Sequence, residues 1–192
     1  MTPEREYRLR SVLLKRQVDL AVVLENVWDP HNVSAVLRSC DAVGIQEVYI
    51  ISPKDKKESK IGRKASGSAS KWLSIHHYRE TEACFEALRS RYAKIYSTKL
   101  QKDAMALYDI DLTQSLALVF GNEKEGVSAL ASTLSDGNFV IPQVGMIQSL
   151  NISVACAVTL YECYRQRSLK GHYHAPTKNG SVDDLLVKWL EM

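Results

Sequence analysis

Short apolar runs alternate with amphipathic segments along the chain, and this alternation predicts its secondary structure. Residues 20–24 form an unbroken apolar run, which is typical of a strand buried on both faces. Similar runs predict strands at 47–52, 72–78, 94–97, 116–120 and 138–141, with helices between them at 30–43, 80–91, 126–134 and 150–167. Strands that alternate with helices favour an α/β fold with a mostly parallel sheet.

Two further helices are predicted at the ends of the chain. Residues 3–16 form a short basic helix whose apolar stripe consists of Leu9, Val12 and Leu13. Near the other end, Ser181 opens a helix with a capping-type start, and its apolar residues recur at helical spacing up to Leu190. We therefore expect three regions: a basic N-terminal helix at 1–19, the α/β domain at 20–170, and a C-terminal extension with an amphipathic helix at 171–192.

The composition is that of an ordinary globular protein. The chain has 192 residues, of which 45% are hydrophobic and 24% charged, and this suffices for one self-supporting core. No apolar run approaches the roughly 20 residues of a membrane span. The charged first residues lack the apolar segment of a signal peptide. We therefore expect a cytoplasmic protein that has no membrane partner.

The cysteines and histidines do not follow the spacing of a metal site. The four cysteines contain no CxxC pair and are expected to be structural core residues. His76 and His77 fall in a predicted strand, where alternation directs the two rings to opposite faces. We therefore expect no bound metal.

Basic residues concentrate in three segments, although the net charge is only +3. Seven lysines and arginines lie between residues 54 and 71, five lie within residues 1–16, and a third group lies at 165–170. Each group alone is compatible with a solvated loop or helix face. Together, the three groups are explained equally well by a polyanionic partner and by solvated surfaces.

Candidate binding residues follow two of the predicted strands. In parallel sheets ligands bind beyond the carboxyl ends of the strands. The loops at 121–126 and 142–151 occupy such positions, and both contain glycine, which lets a backbone approach a ligand closely. Either loop alone favours an ordinary turn over a ligand site. The common glycine-rich phosphate loops and the common hydrolase motifs are absent from the sequence.

A third group of candidates lies on the predicted helix that begins at Pro30. Asn32 and Arg38 are six residues apart, or about 600° of helical rotation, so they point to different sides. Arg38 stands among apolar residues, where a guanidinium needs an anion or a carboxylate. The structural alternative to a functional role is a permanent ion pair, for example with Glu123.

These three segments together resemble the three motifs of the SpoU family of SPOUT RNA methyltransferases. Asn32-x-x-Ala35-x-x-Arg38 resembles the first motif, and residues 118–126 are similar to the second. Ile141-Pro142, followed by residues 149–155, resembles the third. The order and spacing agree, and the resemblance extends from about residue 20 to residue 167.

The resemblance implies a fold, a cofactor and a substrate. The implied fold has a deep trefoil knot at about residues 116–167, and the implied assembly is a homodimer that binds S-adenosylmethionine in the knot. Both terminal helices are similar to those of members that methylate the 2′-oxygen of guanosine 18 in the D-loop of tRNA. Two alternatives stay open: another RNA target, such as the tRNA wobble ribose or ribosomal RNA, and a non-catalytic RNA-binding role.

The resemblance also implies roles for individual residues. Arg38 would bind an RNA phosphate and stabilise the developing alkoxide, because a guanidinium holds its proton too tightly to act as a base. Asn32 would hold Arg38 or the ribose, and Glu123 would orient Asn32 or Arg38. The other implied site residues are Ser149 and Asn151, which would close the pocket; Gly121, Ile141, Leu150, Asn122 and Leu118, which would bind the cofactor; and His31, Arg165, Arg167, Arg8 and Arg10, which would contact RNA. Lys124 departs from the small residue that is common at its position.

Overall fold

Seven strands form one sheet in which every pairing between described strands is parallel. The computed structural model describes residues 2–52, 69–101, 103–174 and 181–190. The strands are β1 (Gln17–Glu25), β2 (Ile45–Ile51), β3 (Ser74–Tyr78), β4 (Lys94–Thr98), β5 (Met105–Ala106), β6 (Leu116–Phe120) and β7 (Gly137–Val140). Their order across the sheet is β3-β2-β1-β6-β4-β7-β5. The predicted α/β class with a parallel sheet is confirmed.

Six α-helices accompany the sheet within the described ranges. They are α1 (Pro3–Leu13), α2 (Pro30–Ala42), α3 (Thr81–Arg89), α4 (Ala129–Leu134), α5 (Ile152–Leu169) and α6 (Ser181–Leu190). The helix predicted from residue 126 begins later, because Gly126 has a positive φ of 67° and Ser128 caps the first turn. None of the described helices combines the length and the apolar character that a membrane crossing requires.

The sheet is covered on both faces, which explains the unbroken apolar run of β1. Leu20, Val22 and Leu24 join the core on the side of α2 and α5. Ala21 and Val23 join the core on the side of α3 and α4. Because both faces of a central parallel strand are buried, its sequence does not alternate between apolar and polar residues.

The terminal helices pack against each other. Trp189 of α6 is buried with Leu9 and Leu13 of α1. The ring of Trp72 meets Trp189 edge-on, with centroids 5.1 Å apart, and the Arg16 guanidinium lies 5.0 Å from the Trp189 ring centroid.

The implied trefoil knot and the division into three regions stay predictions. Residues 54–68 of the predicted basic segment lie outside the described residues, and so do residues 175–180 of the predicted linker.

Two buried arginines join the amino ends of the strands. Arg16 donates to the carbonyl oxygen of Ile45 over 2.8 Å and to Asp41 over 2.5 Å. Arg167, which is 0% exposed, donates to four oxygens: the carbonyls of Leu112 and Gln114, and the side chains of Gln17 and Asp19. The prediction that Arg167 contacts an RNA phosphate is therefore wrong, since its donors are already engaged inside the protein.

Candidate active site

A cavity of about 450 Å³ opens at the carboxyl ends of β4, β6 and β7. Three chain segments that follow these strands supply most of its lining. The lining residues are Thr98, Lys99, Leu100, Phe120, Gly121, Asn122, Glu123, Lys124, Glu125, Gly126, Val127, Phe139, Val140, Ile141, Gln143, Gln148, Ser149, Leu150, Ile152 and Ala155. This is the position at which the sequence predicted a ligand.

Four of the five residues predicted to bind the cofactor line this cavity. They are Gly121, Asn122, Ile141 and Leu150. Leu118 does not line it, and its prediction is wrong. It lies two residues before the end of β6, where its side chain is buried in the core on the α2 and α5 side of the sheet.

The loop at 121–127, which we call the cofactor loop, has a compact and defined shape. The side-chain oxygen of Asn122 accepts hydrogen bonds from the backbone N–H groups of Lys124 and Glu125, over 2.9 and 2.8 Å. The N–H of Gly126 donates to the Asn122 carbonyl over 3.0 Å. A Cβ at Gly121 would lie only 2.0 Å from the carbonyl carbon of Gly126. The turn therefore requires glycine at position 121.

A chain of side-chain hydrogen bonds joins three elements at the cavity. The Nδ2 group of Asn32, in the first turn of α2, donates to the Glu123 carboxylate of the cofactor loop. The Nδ2 group of Asn151 donates to Oδ1 of Asn32 over 3.2 Å. The Asn151 oxygen also accepts from the N–H of Ser153 and thereby caps α5. The predicted proximity of Asn32 and Glu123 is confirmed.

Arg38 lies apart from this group. Its side chain is exposed, has no hydrogen bond or ion pair within the described part of the chain, and does not line the cavity. Six residues correspond to about 9 Å along the helix axis, which separates Arg38 from Asn32. The structural alternative of a permanent ion pair between Arg38 and Glu123 is wrong, because the Glu123 carboxylate bonds to Asn32 instead.

The remaining predicted residues differ in their exposure and in whether their side chains are paired within the protein. Ser149 lines the cavity, and His31 is exposed at the start of α2. Arg165 is paired with Glu162 through two hydrogen bonds, although its side chain is 60% exposed. Arg10 is paired with Glu6, whereas Arg8 is exposed with no side-chain partner among the described residues. RNA contact by the exposed members of this group stays a prediction.

Sequence reasoning missed the contribution of β4 to the cavity. Thr98, Lys99 and Leu100 follow this strand at the same edge of the sheet as the two predicted loops. The rule that ligands bind at the carboxyl ends of parallel strands applies equally to β4. The segment carries no glycine, which is the signal that drew attention to the other two loops.

The cysteines are structural, as predicted. All four thiols are free and buried. Burial raises the pKa of Cys163 to about 12, and it also raises the pKa of Cys156 well above its usual value. Burial of this kind makes both thiols poor nucleophiles. Across the described ranges, no group of three His, Cys, Asp or Glu residues could hold a metal ion.

Comparison with known proteins agrees with this geometry. The sequence profile of the SpoU rRNA Methylase family matches residues 19–161. The chain is 41% identical over 190 residues to the tRNA (guanosine(18)-2′-O)-methyltransferase of Thermus thermophilus, which covers 98% of this chain and 97% of that protein.

Solved structures give the same result. The crystal structure of the Aquifex aeolicus TrmH/SpoU tRNA modifying enzyme matches with a TM-score of 0.90 at 38% identity, over 98% of this chain and 95% of that one. The SpoU methyltransferase AviRb from Streptomyces viridochromogenes, in complex with the cofactor AdoMet, matches with a TM-score of 0.72 at 25% identity, over 81% of this chain and 64% of that one.

Proposed function

The chain belongs to the SpoU methylase family, and from this premise we propose that it transfers a methyl group from S-adenosylmethionine to the 2′-oxygen of guanosine 18 in tRNA. The choice of tRNA as the substrate rests on how much of the chain matches these relatives. The relatives named for this reaction match almost the whole chain, including both terminal helices, and not only the methyltransferase core.

The cavity suits S-adenosylmethionine, which supplies an activated methyl group on a sulfonium. Ile141 and Leu150 line the cavity and would offer apolar surface to the cofactor, and the cofactor loop would contribute backbone groups to the same space. The tight contact between Gly121 and Gly126 holds this backbone in place. Pockets that combine apolar walls with a few fixed polar groups are typical of cofactor sites.

The hydrogen-bonded side chains are suited to hold the ribose. Glu123 lines the cavity and fixes the orientation of Asn32, and Asn151 bonds to Asn32 next to the cavity lining. These amides would position a ribose for methyl transfer to its 2′-oxygen. Such positioning can supply about 7–11 kcal/mol of the barrier reduction.

Arg38 is available to act on the substrate, because no carboxylate of the described residues pairs with it. In the proposed mechanism its guanidinium binds a phosphate of the tRNA and stabilises the alkoxide that forms at the 2′-oxygen. The guanidinium stays protonated throughout, so the hydroxyl proton leaves to the phosphate or to water.

We infer that the active form is a homodimer. The loop after β7 exposes Val144, Met146 and Ile147, and α5 exposes Val154 and Tyr161. Apolar surface of this extent is typical of an interface. A second copy of the chain would cover it, and Arg38, which does not reach the cavity of its own chain, would then be able to serve the partner's cavity.

The reaction is tested with purified protein, radiolabelled S-adenosylmethionine and a tRNA transcript. The matched control transcript carries 2′-deoxyguanosine at position 18 and is otherwise identical. We expect methyl transfer to the first transcript alone, with alkaline hydrolysis blocked directly after guanosine 18. Methylation of a base, of the wobble ribose, or of both transcripts would contradict the proposal.

The assembly is tested with two inactive variants, Arg38→Ala and Asn151→Ala, mixed after mild dissociation. If Arg38 serves the partner's cavity, a mixed dimer contains one complete site and activity returns. If Arg38 serves its own cavity, the mixture stays inactive. Light scattering of the unmodified chain provides the control, because a monomeric mass would contradict the homodimer itself.

A further inference from the structure

A buried carboxylate stands directly beneath the cofactor loop. Glu25, the last residue of β1, is 1% exposed, and no described lysine, arginine or histidine forms an ion pair with it. Burying a carboxylate without a cation is unfavourable unless hydrogen bonds replace its hydration. The partners of Glu25 therefore indicate what this carboxylate holds in place.

Both carboxylate oxygens of Glu25 bond to Ser128. Oε2 accepts from the Ser128 backbone N–H over 2.8 Å, and Oε1 accepts from the Ser128 hydroxyl over 2.7 Å. Thr81 at the start of α3 adds a longer hydrogen bond of 3.4 Å to Oε1. Two short bonds to one residue fix its position more tightly than a single bond, and bonds to a charged acceptor are the stronger kind.

Ser128 is the residue at which the cofactor loop ends. It follows Val127 directly, and its hydroxyl accepts from the N–H of Ala131 to cap α4. The other end of the loop leaves β6 at Phe120, which pairs with Leu24 of β1. The neighbouring residues Leu24 and Glu25 therefore hold the two ends of the loop, one through the sheet and the other through a side chain.

We propose that Glu25 is a positioning residue for cofactor binding, acting through Ser128 on the cofactor loop; this inference rests on the proposed function. The Glu25 carboxylate does not line the cavity and touches no reacting atom. It fixes the position of the loop end at Ser128, and through this end it fixes the positions of the Gly121 backbone and of Glu123. Loss of this contact lets the loop end move, while the sheet beneath it stays in place.

The test compares Glu25→Ala with Glu47→Ala. Glu47 is a suitable control because it is also a buried carboxylate of the sheet, 8% exposed, but lies near the amino end of β2 and bonds to His76 and Arg91. The dissociation constant of S-adenosylmethionine is measured by calorimetry, and the backbone amides of Gly121 and Gly126 are followed by NMR without ligand. Thermal melts report the stability of each variant.

We expect Glu25→Ala to weaken binding of S-adenosylmethionine by about tenfold or more, which corresponds to the loss of a charged hydrogen bond. The amide signals of both loop glycines should shift. Glu47→Ala should lower the melting temperature without changing the dissociation constant by more than about twofold. Glu25→Gln should restore part of the affinity, because its carbonyl oxygen can still accept from the Ser128 N–H.

Equal dissociation constants for Glu25→Ala and the unmodified chain, with unshifted loop amides, would overturn the proposal. Should Glu25→Ala fail to fold, Ser128→Ala and Glu25→Gln carry the same test, and unchanged affinity and amide signals in both would also overturn it. Absence of S-adenosylmethionine binding by the unmodified chain would instead refute the proposed function. In that case the amide shifts decide only whether Glu25 holds the loop in place, and unshifted amides would overturn that part too.

Discussion

The two edges of the sheet use arginine in opposite ways. At the amino edge, Arg16 and Arg167 are buried, and each donates to carbonyl and carboxylate oxygens near the starts of the strands. At the carboxyl edge, the helix that begins beside the cavity carries Arg38, which is exposed and has no partner among the described residues. The side chain is the same, but only Arg38 is available to a ligand.

The difference arises from the oxygens that each environment supplies. A guanidinium can be buried only where several acceptors meet its donors, since an unmet charge in the interior costs several kcal/mol. At the amino edge, the segment before β6 supplies such acceptors, since the carbonyls of Leu112 and Gln114 accept from Arg167. Among the described residues, no such acceptor lies against Arg38. The amino edge therefore stabilises the fold, and the carboxyl edge is left free for chemistry.

The largest effect on stability is expected from Arg167→Ala. Removal of this side chain leaves Asp19 and two backbone carbonyls without their donor, which should lower the free energy of unfolding by about 3–5 kcal/mol. Arg165→Ala is the matched control two residues away. Its side chain is 60% exposed, so its pair with Glu162 should contribute much less to stability. Urea denaturation measures both values. Equal losses in the two variants would contradict the assignment of Arg167 to the interior.

A large effect on cofactor binding is expected from Gly121→Ala. The added methyl group would overlap the backbone of Gly126, so the cofactor loop must shift and affinity for S-adenosylmethionine should fall by about 10²-fold. The control is Gly145→Ala, because a Cβ there meets nothing within 4 Å. Calorimetry with both variants decides the matter, and retention of normal affinity by Gly121→Ala would show that the loop backbone does not form the site.

A smaller effect is expected at the basic terminal helix. Arg8 has no side-chain partner in the described part of the chain, whereas Arg10 is paired with Glu6. If Arg8 contacts a tRNA phosphate, Arg8→Ala should reduce the slope of log Kd against log salt by about 0.7–0.9, and Arg10→Ala should reduce it less. Filter binding at several salt concentrations measures both slopes. An unchanged slope for Arg8→Ala would remove α1 from the RNA surface.

Much of the fold was predictable because burial on both faces leaves a simple pattern. The apolar runs of β1, β2 and β6 predicted central strands, and Pro30 marked the start of α2 correctly. β5 was missed because two residues carry no periodicity. β1 also extends back to Gln17, where polar side chains are tolerated because they bond to Arg167.

The candidate site was predicted in its loops but not in its connections. Glycines and polar residues after β6 and β7 indicated the cavity correctly, because strand ends in a parallel sheet share one edge. A contact between residues that are far apart in the sequence produces no recognisable local pattern. The bond of Glu25 to Ser128 spans 103 positions, and the four acceptors of Arg167 come from two distant segments. Only the folded chain shows which arginine is engaged.

Single-turnover methylation by Arg38→Lys, set beside a thermal melt of the same sample, tests the central claim most directly. Lysine keeps the charge but lacks the planar fork of donors that binds phosphate. The account predicts a rate at saturating tRNA that is at least about 10²-fold lower, with an unchanged melting temperature and unchanged affinity for S-adenosylmethionine. A near-normal rate, or a loss of stability that explains the loss of rate, would contradict the claim that the carboxyl edge leaves Arg38 free for catalysis.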